Sequence, residues 1–447
     1  MFRKDESQGS FDDFDTVNDL VDLGYEVGDA DDHDELVPHL EEPTDGPWVA
    51  PTPVERLLYR DKDDPDVSGY LSILATVGVY HLVAITHAHQ DPAKRQPIIA
   101  EAGDGLRAMS VYTLDVLPRP HPKVVYEFTN LRGLVELLRD VDVLMVNPGT
   151  PCQNALQLGD QMLQLMLQLH DEYWEPGYFS GRILTRQSND TEPGPLLHGL
   201  ACGAQLCVTN GYAWNTTEHH GNGYSGELAL LEKWWDIKVR EEWLQIQRRL
   251  LNLDVGTSGW DDLMHTRNEL ADRFGGPVDA AQWQQYDESA IRRHVAQSGA
   301  PAQPGENPGL DEAVAARGEL IMKILRYEEL FRVDELLPAG GYVRSTAAWD
   351  LGRASAMARW GRSTRFCTQA EMFGVLREIS QQAQRRYASW EEFGVAYLLG
   401  RCIQFGGDVS REWYTEAHDI HKNLLSNEQS PWRTVPFRSG DQPVESL

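Results

Sequence analysis

Positive charge is scarce in this 447-residue chain: 40 Lys and Arg stand against 69 Asp and Glu, a formal charge of −29. A surface of that sign argues against a general nucleic-acid or anionic-membrane binder, since both need clustered Lys and Arg to displace counterions. The short basic run from Gln384 to Tyr387 does not reverse the balance. No apolar run approaches the roughly 20 residues that span a bilayer, and the N-terminus lacks the charged-then-apolar pattern of a secretory signal. A cytoplasmic location is therefore expected, with neither nucleic acid nor membrane as partner. Cysteine is rare as well. Cys152, Cys202, Cys207, Cys367 and Cys402 are odd in number and scattered, which suits small buried thiols in a reducing compartment and no disulfide framework or zinc knuckle.

Familiar catalytic signatures are also missing. There is no Gly-rich phosphate loop, no nucleophile elbow and no complete Ser/His/Asp or Cys/His set, so no catalytic residue, cofactor or metal is assigned. ITHAHQD at Ile85 to Asp91 follows an apolar strand as a zinc-hydrolase His loop would, but Pro92 stands where the final His belongs, and proline cannot ligate. A polar hairpin between two strands is the expectation there. His219 and His220 lie in a Gly- and Asn-rich turn, and His418 and His421 stand one helical turn apart. Without a completing carboxylate or thiolate, both pairs read as solvated surface.

What is present divides the chain. Residues 1–48 hold sixteen Asp and Glu against two Lys and Arg, a balance of −14, leaving −15 for the rest. That segment is too charged to offset its chain entropy by burial and is expected to be a disordered acidic tail. It would solubilise the chain or, with Phe11, Phe14, Leu20, Val21 and Leu23 as docking groups, act as an arm for a basic partner. An α+β domain is expected over 68–170, with strands at YHLVAIT, QPIIAEA, RAMSVYT and VLMVNPG and a helix at LQLGDQMLQLMLQL. A Gly, Pro and Ser-rich linker follows over 171–195, a mainly α-helical domain over 196–437, and a tail over 438–447. The fold class is α+β. In the helical part, Leu228, Leu231, Trp235, Val239, Trp243, Ile246 and Leu250 trace an apolar helix stripe, and SGAPAQPGENPG at Ser298 to Gly309 reads as a loop.

Residues 346–401 are the densest in aromatics and in charges of the buried kind. One helix is expected from Thr346, and two more after Thr368 and Ser389, where TQAE and SWEE fit the capping box of a hydroxyl followed three residues later by Glu. Glu392 is then assigned to the Ser389 backbone amide. Trp349, Asp350, Arg353, Ser389, Trp390, Glu391 and Arg401 make the candidate polar cluster. Two readings stay open. It is an interhelical salt-bridge network that fixes register, or a pocket in which an arginine grips an anion while Asp350 acts as base or ligand.

WDLGR at Trp349 to Arg353, ARWG at Ala358 to Gly361, SWEEF at Ser389 to Phe393 and LLGR at Leu398 to Arg401 together resemble the bacterial YbeU/YbeR-type domain of unknown function. LHGLACGAQLCVTN at Leu197 to Asn210, LLEKWWDI at Leu230 to Ile237 and SPW at Ser430 to Trp432 extend that resemblance over roughly 196–437. SVYTLDVL at Ser110 to Leu117 and VNPGTP at Val146 to Pro151 resemble the N-terminal domain of SseB-type proteins. The resemblances imply a bacterial secretion or interbacterial-conflict setting and supply no catalytic residue. The expected function is therefore protein interaction, as an adaptor or immunity-type component with a protein partner. The alternative is an enzyme of unfamiliar type using Asp350, Arg353 and Arg401.

Overall fold

A computed structural model describes residues 48–88, 95–102, 105–118, 121–186, 191, 193–256, 258–405 and 411–438. The acidic segment 1–47, His89 and the 439–447 terminus lie outside the described residues.

The N-terminal part is built on a six-stranded mixed sheet. Helices α1 (Pro53–Asp61) and α2 (Ser68–Val77) lead into β1 (Val79–Ala84), α3 (Ile85–Ala88), β2 (Ile99–Ala102), β3 (Leu106–Tyr112), β4 (Val124–Thr129), α4 (Leu131–Leu137), β5 (Val143–Val146), β6 (Asn154–Gln157) and α5 (Asp160–Tyr173). The strand order is β4-β1-β3-β5-β6, with β2 also paired to β3. β3 and β5 run parallel and the remaining pairs antiparallel. Period-two alternation sorts the side chains. Val79, Met109, Val111, Leu144 and Val146 join the core beneath α1, α2, α4 and α5, while Tyr80, Leu82, Tyr112 and Tyr126 share the opposite face. The four expected strands are present, and β4 and β6 are additional. Leu156, expected in the helix, belongs to β6, and α5 starts only after the extended Gly159. Ile85–Ala88 forms a short helix where a hairpin was expected. The YT and NPG motifs meet, since the buried Thr113 backbone N–H donates to Asn147 Oδ1 at 2.8 Å.

The C-terminal part is helical: α6 (Pro195–Cys202), α7 (Ala204–Asn210), α8 (Gly223–Trp235), α9 (Arg240–Leu251), α10 (Ser258–Phe274), α11 (Ala280–Gln297), α12 (Pro308–Val333), α13 (Ala347–Ser363), α14 (Gln369–Arg386), α15 (Trp390–Phe405), α16 (Arg411–Ser426) and α17 (Pro431–Thr434). None of the described helices is long and apolar enough to cross a membrane. α13 is the hub. Every residue from Ala347 to Gly361 is buried, because α6, α7, α8, α9, α14 and α15 all pack on it. Such an axis can carry no solvated face, so its polar residues must find partners inside the protein. The 228–250 stripe is two helices, not one: Asp236 adopts φ 54°, ending α8, and Val239 is 47% exposed ahead of α9. Trp243 is buried and donates its indole N–H to the Met357 carbonyl at 2.9 Å.

The two parts share an interface. Tyr224 and Leu228 of α8 pack on Val83 and Val125 of the sheet. The segment between the parts is also engaged, with Leu184 bridged to Ala213, the Trp214 indole donating to Thr185 Oγ1, and Arg186 paired to Asp115 at 3.1 Å.

Candidate functional site

On α13, Asp350 and Arg353 stand one turn apart and face each other. Asp350 is 0% and Arg353 7% exposed. Arg353 Nη2 is ion-paired to Asp350 Oδ1, and Arg353 Nε donates to the Trp349 carbonyl at 3.3 Å. The guanidinium lies 4.4 Å from the Trp349 ring centroid and 5.5 Å from that of Trp235. A Cβ on Gly256 would meet Arg353 Nη2 at 2.7 Å, and the Gly256 N–H points at Asp350 Oδ2 from 3.5 Å. Burial pushes the Arg353 pKa down, opposed by the Asp350 charge and hydrogen bond. The arrangement is a closed, paired cage.

The other sequence candidates are only partly drawn into it. Arg401, 6% exposed, pairs with Glu416 at 3.0 Å and donates to Thr209 Oγ1 at 2.9 Å. Tyr397 stands between the two arginines electrostatically: burial pushes its phenol up to about 12, against the pull of Arg401 and Arg353. Ser389 caps α15, accepting from the Glu392 N–H at 3.3 Å, while Glu392 accepts from Ala388 N–H and not from the expected Ser389 amide. That shift of one residue leaves the capping logic intact. Trp390 stacks on Trp432 and His198 and donates to the Val435 carbonyl at 2.7 Å, so it belongs to the C-terminal core. Glu391 is exposed.

A second polar assembly, not foreseen from the sequence, sits where the helical part meets the sheet. Arg359 on α13 is 2% exposed, and its Nη1 and Nη2 donate to Cys207 Sγ at 3.0 Å and the Ala213 carbonyl at 2.6 Å. Its Nε has no hydrogen-bond partner, and burial lowers its pKa. Glu227 is 0% exposed. One oxygen accepts the Asn222 N–H at 3.2 Å, the other has no partner, and burial pushes its pKa up to about 8. His219, His220 and His421 are 9%, 1% and 0% exposed, correcting the solvated reading of both histidine pairs. Their polar local sequence is overridden by packing: His421 lies beneath Gly394 and against Trp432, and His220 is edge-on to Tyr212. Burial lowers the His219 and His421 pKa to about 4 and about 3.

Beside this assembly lies a small cleft of about 30 Å³. Val125 and Tyr126 of β4 form one wall, Thr217, Glu218 and His219 the floor loop, and Arg362, Ser363 and Arg365 the end of α13. Arg365, at φ 67°, turns its guanidinium onto the sheet and donates to the His121 and Val124 carbonyls at 3.0 and 2.8 Å. The only sequence signal for the assembly is Arg359 itself, an arginine embedded in the apolar AMARWG run. Among the described residues no group of three or more His, Cys, Asp or Glu is placed to hold a metal ion.

Residues 230–437 match the model of a family described as protein of unknown function (DUF1266). No curated protein and no solved structure matches the chain. The matched segment is under half of the chain. It contains α13, the Asp350–Arg353 cage, Arg359, Arg362 and Arg401, whereas His219 and Tyr126 lie before it.

Proposed function

We propose that this protein works by binding another protein, as an adaptor or immunity-type component, and not through chemistry at Asp350. The observation that carries this reading is the closure of the Asp350–Arg353 cage, with the carboxylate 0% exposed and its charge taken up by a guanidinium held against two tryptophans. A base or anion-gripping arginine needs access to its substrate, and this pair has none. Arg401 already carries its own carboxylate partner, so the alternative enzyme built on Asp350, Arg353 and Arg401 has less support. Exposed apolar residues at the α8–α9 turn, Trp234 at 60% and Val239 at 47%, offer a contact surface of the kind partner proteins cover.

The bacterial secretion or interbacterial-conflict setting, and a cytoplasmic location, rest on the YbeU/YbeR-like motifs of the helical part and the SseB-like motifs of the sheet part. The test is affinity capture of the full chain from its native host with quantitative mass spectrometry, run beside a Trp234→Asp, Val239→Asp variant. A stoichiometric protein partner, lost with the variant, is expected. Failure to capture any partner at stoichiometric level, with turnover found in a metabolite screen and abolished by Asp350→Asn, would reverse the assignment.

A further inference from the structure

Lysine is scarce in this chain, eight in 447 residues, yet Lys233 and Lys238 stand five positions apart at the α8–α9 turn. Both are exposed, as are Trp234 at 60% and Val239 at 47%. Lys233 Nζ lies 5.3 Å over the Trp234 ring with no ion pair to a described residue. Lys238 is paired to Glu232 at 3.4 Å, both side chains more than half in solvent, and a pair that exposed exchanges its partner at little cost. Each apolar residue of the turn thus has an ammonium as its sequence neighbour. Glu232, Asp236 and Glu241 share the turn, so the surface fits carboxylates placed on the two ammonium groups and not a diffuse negative charge. An apolar segment with regularly spaced acids meets both demands.

The chain carries such a segment. Within residues 11–26, which lie outside the described residues, Phe14, Val17, Val21 and Tyr25 follow the three-and-four spacing of one helix stripe, and Asp12, Asp15, Asp19, Asp22 and Glu26 follow it on the adjacent stripe. A segment of this composition gains order by covering its apolar stripe, the helix-in-groove mode of recognition. Reach is sufficient. Trp48 is anchored 5.2 Å from Tyr59 of α1, and the 22 positions back to Glu26 span about 70 Å at full extension, against a radius of gyration of about 21 Å for a compact body of roughly 400 residues. The tether also gives the segment an effective concentration on the order of millimolar, above that of a second copy in dilute solution.

We propose that residues 11–26 dock on the α8–α9 turn of their own chain, the Phe14, Val17 and Val21 stripe against Trp234 and Val239 and the Asp15, Asp19 and Asp22 stripe toward Lys233 and Lys238, and that a partner must displace them. The displacement rests on the protein-interaction reading; the docking does not. Zero-length carbodiimide cross-linking of the full chain, with peptide mapping by mass spectrometry, tests it. Lys233 and Lys238 should join arm carboxylates at least about fivefold more often than Lys62, Lys323 or Lys422 do, and an equal mixture of 14N- and 15N-labelled protein should place those links within one chain. Phe14→Asp, Val21→Asp in the arm and Trp234→Asp, Val239→Asp on the turn should each reduce them about fivefold or more. Both pairs lie outside the core, so folding is not at stake. The arm variant should also capture about threefold more of any host partner. Links without a captured partner would uphold the docking while striking the interaction reading. Arm links spread evenly over the lysines, links between chains, or links that survive both variants would overturn the docking, and unchanged capture by the arm variant would overturn the displacement.

Discussion

Asp350 and Arg353 occupy successive turns of the most enclosed helix in the protein and form an ion pair whose side chains are 0% and 8% exposed. Removing one partner leaves a charge in the interior. Asp350→Ala should therefore cost about 3–5 kcal/mol. Most of that loss should appear only once in the Asp350→Ala, Arg353→Ala double variant, because contacting residues share a single interaction. Arg401→Ala should cost less, under about 2 kcal/mol, since its Glu416 partner is 46% exposed and can be rehydrated. Urea unfolding of the parent, both single α13 variants, their double variant and Arg401→Ala measures all three statements. Additive losses would mean that the two α13 residues do not act as a pair.

Glu227 gives a prediction of opposite sign. Its folded-state pKa of about 8 lies above the ordinary 4.5, so between those values the folded protein keeps a proton that the unfolded chain releases. Stability linked to this group is fully present below about pH 4.5 and is lost as pH rises toward 8. Glu227→Gln removes the linkage and keeps an oxygen for the Asn222 N–H. The variant should be more stable than the parent at pH 8 by on the order of 2 kcal/mol, the gain fading toward pH 4.5. A destabilised variant at pH 8 would show that Glu227 is ionised and satisfied in the fold.

The sequence made α13, α14 and α15 legible because their signals are local. Thr368 and Glu371 form the expected capping box, with the Thr368 N–H on Glu371 Oε2 at 2.8 Å and the Glu371 N–H on Thr368 Oγ1 at 3.2 Å. Asp350 and Arg353, three apart on one helix, were likewise readable as a pair. The α8–α9 break was not, because apolar spacing continues through a turn whose decisive feature is one left-handed residue, Asp236. Nor was the joint. Arg359 reaches Ala213 and Cys207, some 150 residues back, and His421 is enclosed by Gly394 and Trp432 of other elements. Burial of a polar residue by distant chain leaves no mark on its neighbours in sequence.

Glycine provides a pair of substitutions that separate packing from propensity. A Cβ on Gly400 of α15 would stand 2.8 Å from Trp349 Cγ, whereas one on Gly374 of α14 meets nothing within 4 Å. Gly400→Ala should destabilise by about 1–3 kcal/mol through overpacking against the tryptophan that shields Arg353. Gly374→Ala should stabilise by about 0.5–1 kcal/mol, the ordinary gain from replacing glycine inside a helix. Thermal melts of both variants read the two signs directly. A neutral Gly400→Ala would mean that α13 and α15 can move apart at no cost.

The buried histidines set the acid limit of the fold. Burial lowers His81, His198 and His219 to about 4, His421 to about 3, and His220 well below its ordinary value. Between about pH 6.5 and pH 4 the unfolded chain binds protons at these positions while the folded protein does not, so stability falls as pH falls through that window. Each group contributes up to about 1.4 kcal/mol per pH unit. Glu227 and Asp115 oppose them, since their raised values of about 8 and about 7 make them release protons on unfolding at the same pH. Burial likewise raises Glu127 and Asp261, which add to the carboxyls, and lowers His170, which adds to the histidines. The histidines are the more numerous group, so unfolding near pH 5.5 should take up protons net, measurable from the slope of unfolding free energy against pH in urea titrations. A flat profile between pH 6.5 and 4.5 would require these imidazoles to accept protons in place, which their burial argues against.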